Sequence, residues 1–274
     1  MATHNRDILA MPGACYLEIL TSDYLLLGLA AVLAGLIDSV VGGGGLIQLP
    51  ALLSVFPQAA PSTLFGTNKL AAIWGTAFAA RSYAKRLTLL WNIALPASAA
   101  ALVFAFLGAR AVSLFPQEIL RKALPFILLA VAVYVFRRKS FGSESFVEGR
   151  SGKHLRLALL TGALIGFYDG LFGPGTGSFL IFMFVRFFHL DFLQASAIAK
   201  VVNVACNFAA LTWFAAAGYV IWPLGLFMAC CNIFGSIIGT RLAWKGGTSF
   251  VRKLFLLVVG LLIIKTGYDG FFRG

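Results

Sequence analysis

The chain has 274 residues, of which 60% are hydrophobic and only 12% charged, and its mean hydropathy is +0.90. Soluble domains carry roughly 25% charged residues, so most of this chain is excluded from facing water, and at about 20 apolar residues per crossing it has room for about eight to ten crossings but no separate soluble domain. The net charge of +12 does not indicate a nucleic-acid partner, because the basic residues fill short gaps between apolar runs, as the positive-inside rule describes.

Residues 1–23 are an N-terminal extension. Asp7, Glu18 and Asp23 break any basic-then-apolar pattern, so no cleaved signal peptide is expected. Apolar runs at 25–41, 46–56, 65–80, 87–115 and 119–136 predict five helical segments, a first membrane repeat over residues 24–136. Residues 137–156, with Arg137, Arg138, Lys139, Glu144, Glu148, Arg150 and Lys153, are the one candidate linker. Runs at 157–172, 179–188, 195–217, 220–242 and 250–267 predict five more segments, a second repeat over residues 157–274. The run lengths and the absence of polar–apolar alternation favour helices over a membrane barrel.

The two halves align at a constant offset of 131, which pairs Gly35 with Gly166, Asp38 with Asp169, Gly42 with Gly173 and Gly44 with Gly175. Without an insertion the same offset pairs Lys69 with Lys200, Trp91 with Trp222, Gly108 with Gly239, Arg110 with Arg241, Arg121 with Arg252 and Lys122 with Lys253. A run of matches in register that includes charged residues indicates internal duplication. Arg81, Lys85 and Arg86, the linker, Arg186, and the group Arg241, Lys245, Arg252 and Lys253 are mutually consistent as cytoplasmic, against Arg110, Arg121 and Lys122 outside. Five segments per repeat is an odd number, so the halves are expected to be inverted, with both termini outside. Inverted repeats are a recurring plan of secondary transporters. The expected fold class is therefore an all-α polytopic membrane protein of two inverted five-segment repeats, with helices broken or re-entrant at glycine loops.

Each repeat opens with an aspartate at the end of an apolar run, then a glycine cluster, then a segment too short to cross alone. In the first repeat Asp38 precedes Gly42, Gly43, Gly44 and Gly45; in the second, Asp169 precedes Gly173, Pro174, Gly175, Thr176 and Gly177. Such clusters do not continue a helix, and at membrane depth broken backbone is tolerated only where it lines a cavity. Amides freed at the start of the following half-helix favour an anion. Close helix packing also uses small residues and suits Gly35 and Gly166, but it needs them only once per turn. A phosphate loop would require a following Lys-Ser or Lys-Thr, which neither cluster has.

A charge near the bilayer centre costs on the order of 3 kcal/mol, so Asp38 and Asp169 need a partner or a function. Two roles stay open for them, capping the glycine-loop amides or coupling to a proton or ion. Pro174 removes one amide donor beside Asp169, which makes Asp169 the expected proton carrier and Asp38 the expected cap. Lys69 and Lys200 are the cationic candidates for substrate, expected to converge on one positively biased site; snorkelling to the interface is the alternative. Thr67, Asn68, Asn203 and Asn207 are neutral donors on the same segments. The substrate-binding set is thus Lys69, Lys200, Thr67, Asn68, Asn203, Gly43, Gly44, Gly45, Gly175, Thr176 and Gly177, with Asp38 and Asp169 for coupling.

No catalytic, metal or cofactor site is indicated. His4, His154 and His189 fall in predicted loops, no Cys/His or carboxylate group has ligand spacing, and Cys15, Cys206, Cys230 and Cys231 form no Cys-x-x-Cys. Transport driven by an ion gradient is the expected activity. A passive anion channel, and a membrane-embedded enzyme acting on lipid phosphates, are the alternatives. The expected partners are a small anionic substrate and membrane lipid, with no nucleic acid; self-association is left open.

The run from Gly35 through Asp38 to the glycines at 42–45 with Pro50 following, the Thr67-Asn68-Lys69 triplet, and Gly166 through Asp169 to Gly173-Pro174-Gly175 resemble the sulfite exporter family of the TauE/SafE type over roughly residues 24–268. The resemblance implies a multi-pass inner-membrane permease for sulfur-containing anions such as sulfite, sulfoacetate, thiosulfate or other sulfonates, often exported, with proton coupling.

Overall fold

The computed structural model describes residues 7–10, 16–19, 21–112 and 152–272. Its helices are α1 (Thr21–Val41), α2 (Gly45–Val55), α3 (Pro61–Ala84), α4 (Trp91–Ala111), α5 (Gly152–Leu171), α6 (Thr176–Phe188), α7 (Phe192–Ala216) and α8 (Trp222–Phe272). Two short antiparallel strands, β1 (Asp7–Ala10) and β2 (Tyr16–Ile19), precede them. The sequence reading expected no element there. The fifth expected segment, 119–136, and most of the linker 137–156 lie outside the described residues.

Among the described residues four helical stretches are long and apolar enough to cross a bilayer: Ser22–Val41, Trp91–Ala111, Phe192–Ala216 and Trp222–Leu257. By contrast α2 and α6 have 11 and 13 residues. At 1.5 Å per residue they span about 17 and about 20 Å, short of a hydrocarbon core of about 30 Å. The outward faces are apolar: Leu25, Leu26, Leu29 and Leu33 on α1 and Leu95, Leu102, Phe104 and Leu107 on α4 are exposed. Exposed stripes at helical spacing suit lipid contact, and this is an integral membrane protein.

Glycine sets which helices pack closely. A side chain at Gly35 or Gly235 would run into the partner backbone between α1 and α8, and one at Gly108, Gly166 or Gly170 would do so between α4 and α5. Small residues let backbones approach where no hydrophobic force drives helices together in lipid. The Gly35 contact is Asn232 and the Gly166 contact is Ala101, and these two contacts stand at the same 131 offset. Helix α3 packs against α7 and α8, and α7 also against α4 and α6, so α3 and α7 hold the interior.

The two expected segments, 220–242 and 250–267, are two helices that meet at a kink falling in the gap between them. The first runs on past Arg241 and Lys245, and the interruption comes at Gly247, with φ 62° and ψ −167°. Helix α7 starts at an N-cap, Asp191, whose carboxylate accepts the amides of Leu193 and Gln194 at 2.8 and 2.9 Å.

Candidate functional site

Both glycine clusters end a helix. Helix α1 stops at Val41, and Gly42 and Gly43 take φ of 76° and 96°; α5 stops at Leu171, and Gly173 and Gly175 both take φ of 86°. These left-handed values are open to glycine and not to a bulky residue. The loops touch: a side chain on Gly42 would meet the backbone of Gly177 and Ser178. Two hydroxyls fasten the end of α1, Ser178 donating to the Val41 carbonyl at 3.1 Å and Ser196 to the Val40 carbonyl at 2.7 Å. The start of α2 thus lies beside the start of α6.

The loop amides are more occupied than the sequence reading expects. Leu46 and Ile47 donate to the carbonyls of Gly43 and Gly44 at 3.0 Å each, and Thr176 to that of Gly173 at 3.3 Å. The left-handed Gly43 and Gly173 turn their carbonyls over the first turns, and Gly44 already has helical dihedrals. Helix polarity still aims both N-termini at this region, so the dipole contribution remains while fewer free donors do.

A cavity of about 400 Å³, counting its open mouth, lies where the loops meet α3 and α7. Gly43, Gly44, Gly45, Gly175, Thr176 and Gly177 line it from the loops, and Asn68, Lys69 and Asn203 from the interior helices. Both Asp38 and Asp169 reach it. Two expected ligands do not. Thr67 donates to the Thr63 carbonyl at 2.7 Å and accepts from the Ile221 amide at 3.0 Å, which ties α3 to the start of α8. Lys200 is wholly buried and is not among the residues lining the cavity.

The lysines are paired across the two halves. Lys69 Nζ lies 2.5 Å from Asp169 Oδ2, and Lys200 Nζ lies 3.6 Å from Asp38 Oδ2. Each carboxylate also accepts a hydroxyl, Asp169 from Thr176 at 2.7 Å and Asp38 from Thr76 at 3.0 Å. Among the described residues neither accepts a backbone amide, so the expected capping role of Asp38 is not seen; the loop carbonyls already hold the amides it would have taken. The expectation of a positively biased site changes as well, since two lysines and two aspartates leave these buried groups with no net charge. Lys200 Nζ has no hydrogen-bond partner among the described residues, which makes its pair the looser one.

Sequence reasoning missed three polar residues that face the same space, Gln48, Thr76 and Asn232, with Ala72 beside them as a small neighbour that leaves room. Asn207, noted as a donor, also lines it. The signal was available, because Gln48 and Asn232 are amide side chains inside apolar runs, where an unpartnered polar group is expensive.

A family profile described as Sulfite exporter TauE/SafE matches residues 27–266. The chain is 36% identical over 236 residues to a protein named Probable membrane transporter protein ORF9 from a Sinorhizobium species, covering 86% of this chain and 89% of that one. It is 33% identical over 248 residues to Probable membrane transporter protein YfcA of Escherichia coli strain K12, covering 89% and 91%. With Probable membrane transporter protein MJ0441 of Methanocaldococcus jannaschii the identity is 25% over 260 residues, covering 88% and 95%. No solved structure matches the chain. The profile match spans nearly the whole chain and the relatives are named as membrane transporters, so the protein belongs to the sulfite exporter TauE/SafE family.

Proposed function

We propose that the protein is a proton-coupled secondary transporter that exports a small anion, a sulfur oxyanion or organosulfonate, across the bacterial inner membrane as a multi-pass protein of two inverted repeats. The observation that carries this reading is the Lys69–Asp169 pair on the cavity wall. A carboxylate already occupies the cation that an anionic substrate needs, so substrate and Asp169 compete for Lys69.

Charge balance supports the coupling. The four buried charges cancel, and an anion arriving alone would leave a negative charge uncompensated, at a penalty of several kcal/mol in a low-dielectric interior. Protonation of Asp169 as the anion takes Lys69 removes that charge. Asp169 is then the proton carrier, as the sequence reading expects, but because it shares a lysine with the substrate rather than because Pro174 removes an amide. The Asp38–Lys200 pair, with its lysine off the cavity wall, keeps its charges throughout. Thr176, Asn68, Asn203 and the half-helix N-termini supply neutral donors and positive dipole ends suited to oxyanion oxygens. The breaks at both glycine loops give backbone that can rearrange between inward- and outward-open states.

The test is flux of sulfite and methanesulfonate in proteoliposomes under an imposed pH gradient. Saturable flux that follows the gradient and disappears in Lys69→Met supports the reading. Flux that stays linear in anion concentration and ignores the pH gradient indicates the channel alternative.

A further inference from the structure

Five polar side chains on the cavity wall have their bonding taken up by other protein groups: Lys69, Thr76 and Thr176 by the aspartates, and Asp38 and Asp169 by those same donors. Gln48 differs. It is 1% exposed, lines the cavity, and its Nε2 has no hydrogen-bond partner among the described residues. Its other end is fixed, because Asn232 Nδ2 donates to Gln48 Oε1 at 3.1 Å.

Asn232 is itself held rigidly. It is 2% exposed, its backbone lies against Gly35 of α1, and its side chain lies against Gly75 of α3, where any larger residue would collide with it. One turn further along α8, Ser236 donates to the Gly75 carbonyl at 2.8 Å. Two glycines therefore admit Asn232, Asn232 orients the Gln48 amide, and the amide is left with a free N–H pair in a polar cavity. Buried donors without partners are rare in folded proteins and call for a reason.

The arrangement exists on one side only. At the 131 offset the counterpart of Gln48 is Phe179 and that of Asn232 is Ala101, whereas the lysine–aspartate framework is present in both halves. Phe179 offers no donor and packs edge-on against Tyr168, with ring centroids 5.3 Å apart. A feature that breaks the duplication while the scaffold keeps it is a mark of recognition rather than of folding.

We infer that Gln48 Nε2 is a substrate ligand that donates to an oxygen of the transported oxyanion, with Asn232 as the positioning residue that aims it, so that the anion is seated off-centre on the first-repeat side. This rests on the anion-transport reading and adds to it a neutral donor that reads oxygen rather than charge. Lys69 supplies attraction for any anion; Gln48 supplies preference for one whose oxygens project toward α2.

The experiment is binding of sulfite and of methanesulfonate to the purified full-length protein, with thermal unfolding measured alongside. Gln48→Met is expected to weaken binding of both by about tenfold to a hundredfold, the range for one hydrogen bond to a charged group, with the melting temperature unchanged. Gln48→Glu keeps the acceptor for Asn232 and replaces the donor with an oxygen; it is expected to fold like the parent and to lose binding altogether. Asn232→Ala should weaken binding to a similar extent and add little when combined with Gln48→Met, whereas a merely structural asparagine would lower stability additively. Binding within twofold of the parent in a folded Gln48→Glu or Gln48→Met protein overturns this inference and leaves the transport reading standing. Failure of the parent protein to bind either anion overturns the transport reading and this inference with it.

Discussion

Lys69 and Asp169 are 100 residues apart in the chain and meet at 2.5 Å, while their counterparts at the 131 offset, Lys200 and Asp38, meet at 3.6 Å. Each half of the protein supplies the lysine that neutralises the other half's aspartate. This crosswise pairing ties the halves together at the point where both backbones are broken, and its inequality separates their tasks. The close pair lies on the cavity wall, where substrate can reach it. The loose pair has its lysine buried behind Asp38.

The inequality is measurable as coupling. A double-mutant cycle on Lys69→Met and Asp169→Asn, read by thermal unfolding, is expected to give a larger interaction energy than one on Lys200→Met and Asp38→Asn. Each single substitution strands a buried charge and should cost about 3–5 kcal/mol, largely restored in the double variant. Equal couplings would mean that the difference between 2.5 and 3.6 Å has no energetic weight.

Restoring stability should not restore function. The Lys69→Met/Asp169→Asn protein is expected to fold and to show no anion flux, because the cation for the substrate is gone. Normal flux in that protein would return Lys69 to a purely structural role.

Gly42 and Gly247 give a controlled comparison. Both have positive φ, 76° and 62°, but a side chain at Gly42 would strike the backbone of Gly177 and Ser178, while one at Gly247 meets open space. Gly247→Ala is expected to cost about 1–3 kcal/mol, the penalty of a backbone conformation reserved for glycine and nothing more. Gly42→Ala should cost more and abolish transport, since it separates the two loops that frame the cavity. The check is unfolding and flux for both variants.

The inverted arrangement is tested by topology. A reporter at Phe141 in the linker is expected to be cytoplasmic and reporters at both chain ends are expected on the opposite side. A cytoplasmic C-terminus with an external N-terminus would contradict five crossings per half.

The helix positions and the meeting of Asp38, Lys69, Asp169 and the glycine loops were legible in the sequence because they follow from local rules: apolar run length, glycine as a helix breaker, and charge that must find a partner in lipid. Pairing was not legible. Nothing in the order of residues says that Lys69 belongs to Asp169 rather than to a substrate, since that depends on how α3 crosses α5. Thr67 illustrates the same limit: it stands two residues before Lys69, yet helix rotation turns it to the Thr63 carbonyl and the Ile221 amide. The short strands at Asp7–Ala10 and Tyr16–Ile19 fall in the N-terminal extension, where four-residue runs carry too little periodicity to predict an element. The Gln48–Asn232 contact was not legible because it joins residues 184 apart in the chain and has no counterpart at Phe179 and Ala101.

The central claim is that substrate and Asp169 compete for Lys69, so that an anion is carried together with a proton. The most direct measurement is sulfite transport by Asp169→Asn in proteoliposomes, assayed both under a pH gradient and as exchange without one. The account expects loss of pH-driven transport with exchange retained, because the asparagine cannot carry a proton yet leaves Lys69 free for the anion. The matching Asp38→Asn protein is expected to lose both modes, because it strands the buried Lys200. Undiminished pH-driven transport by Asp169→Asn would contradict the claim.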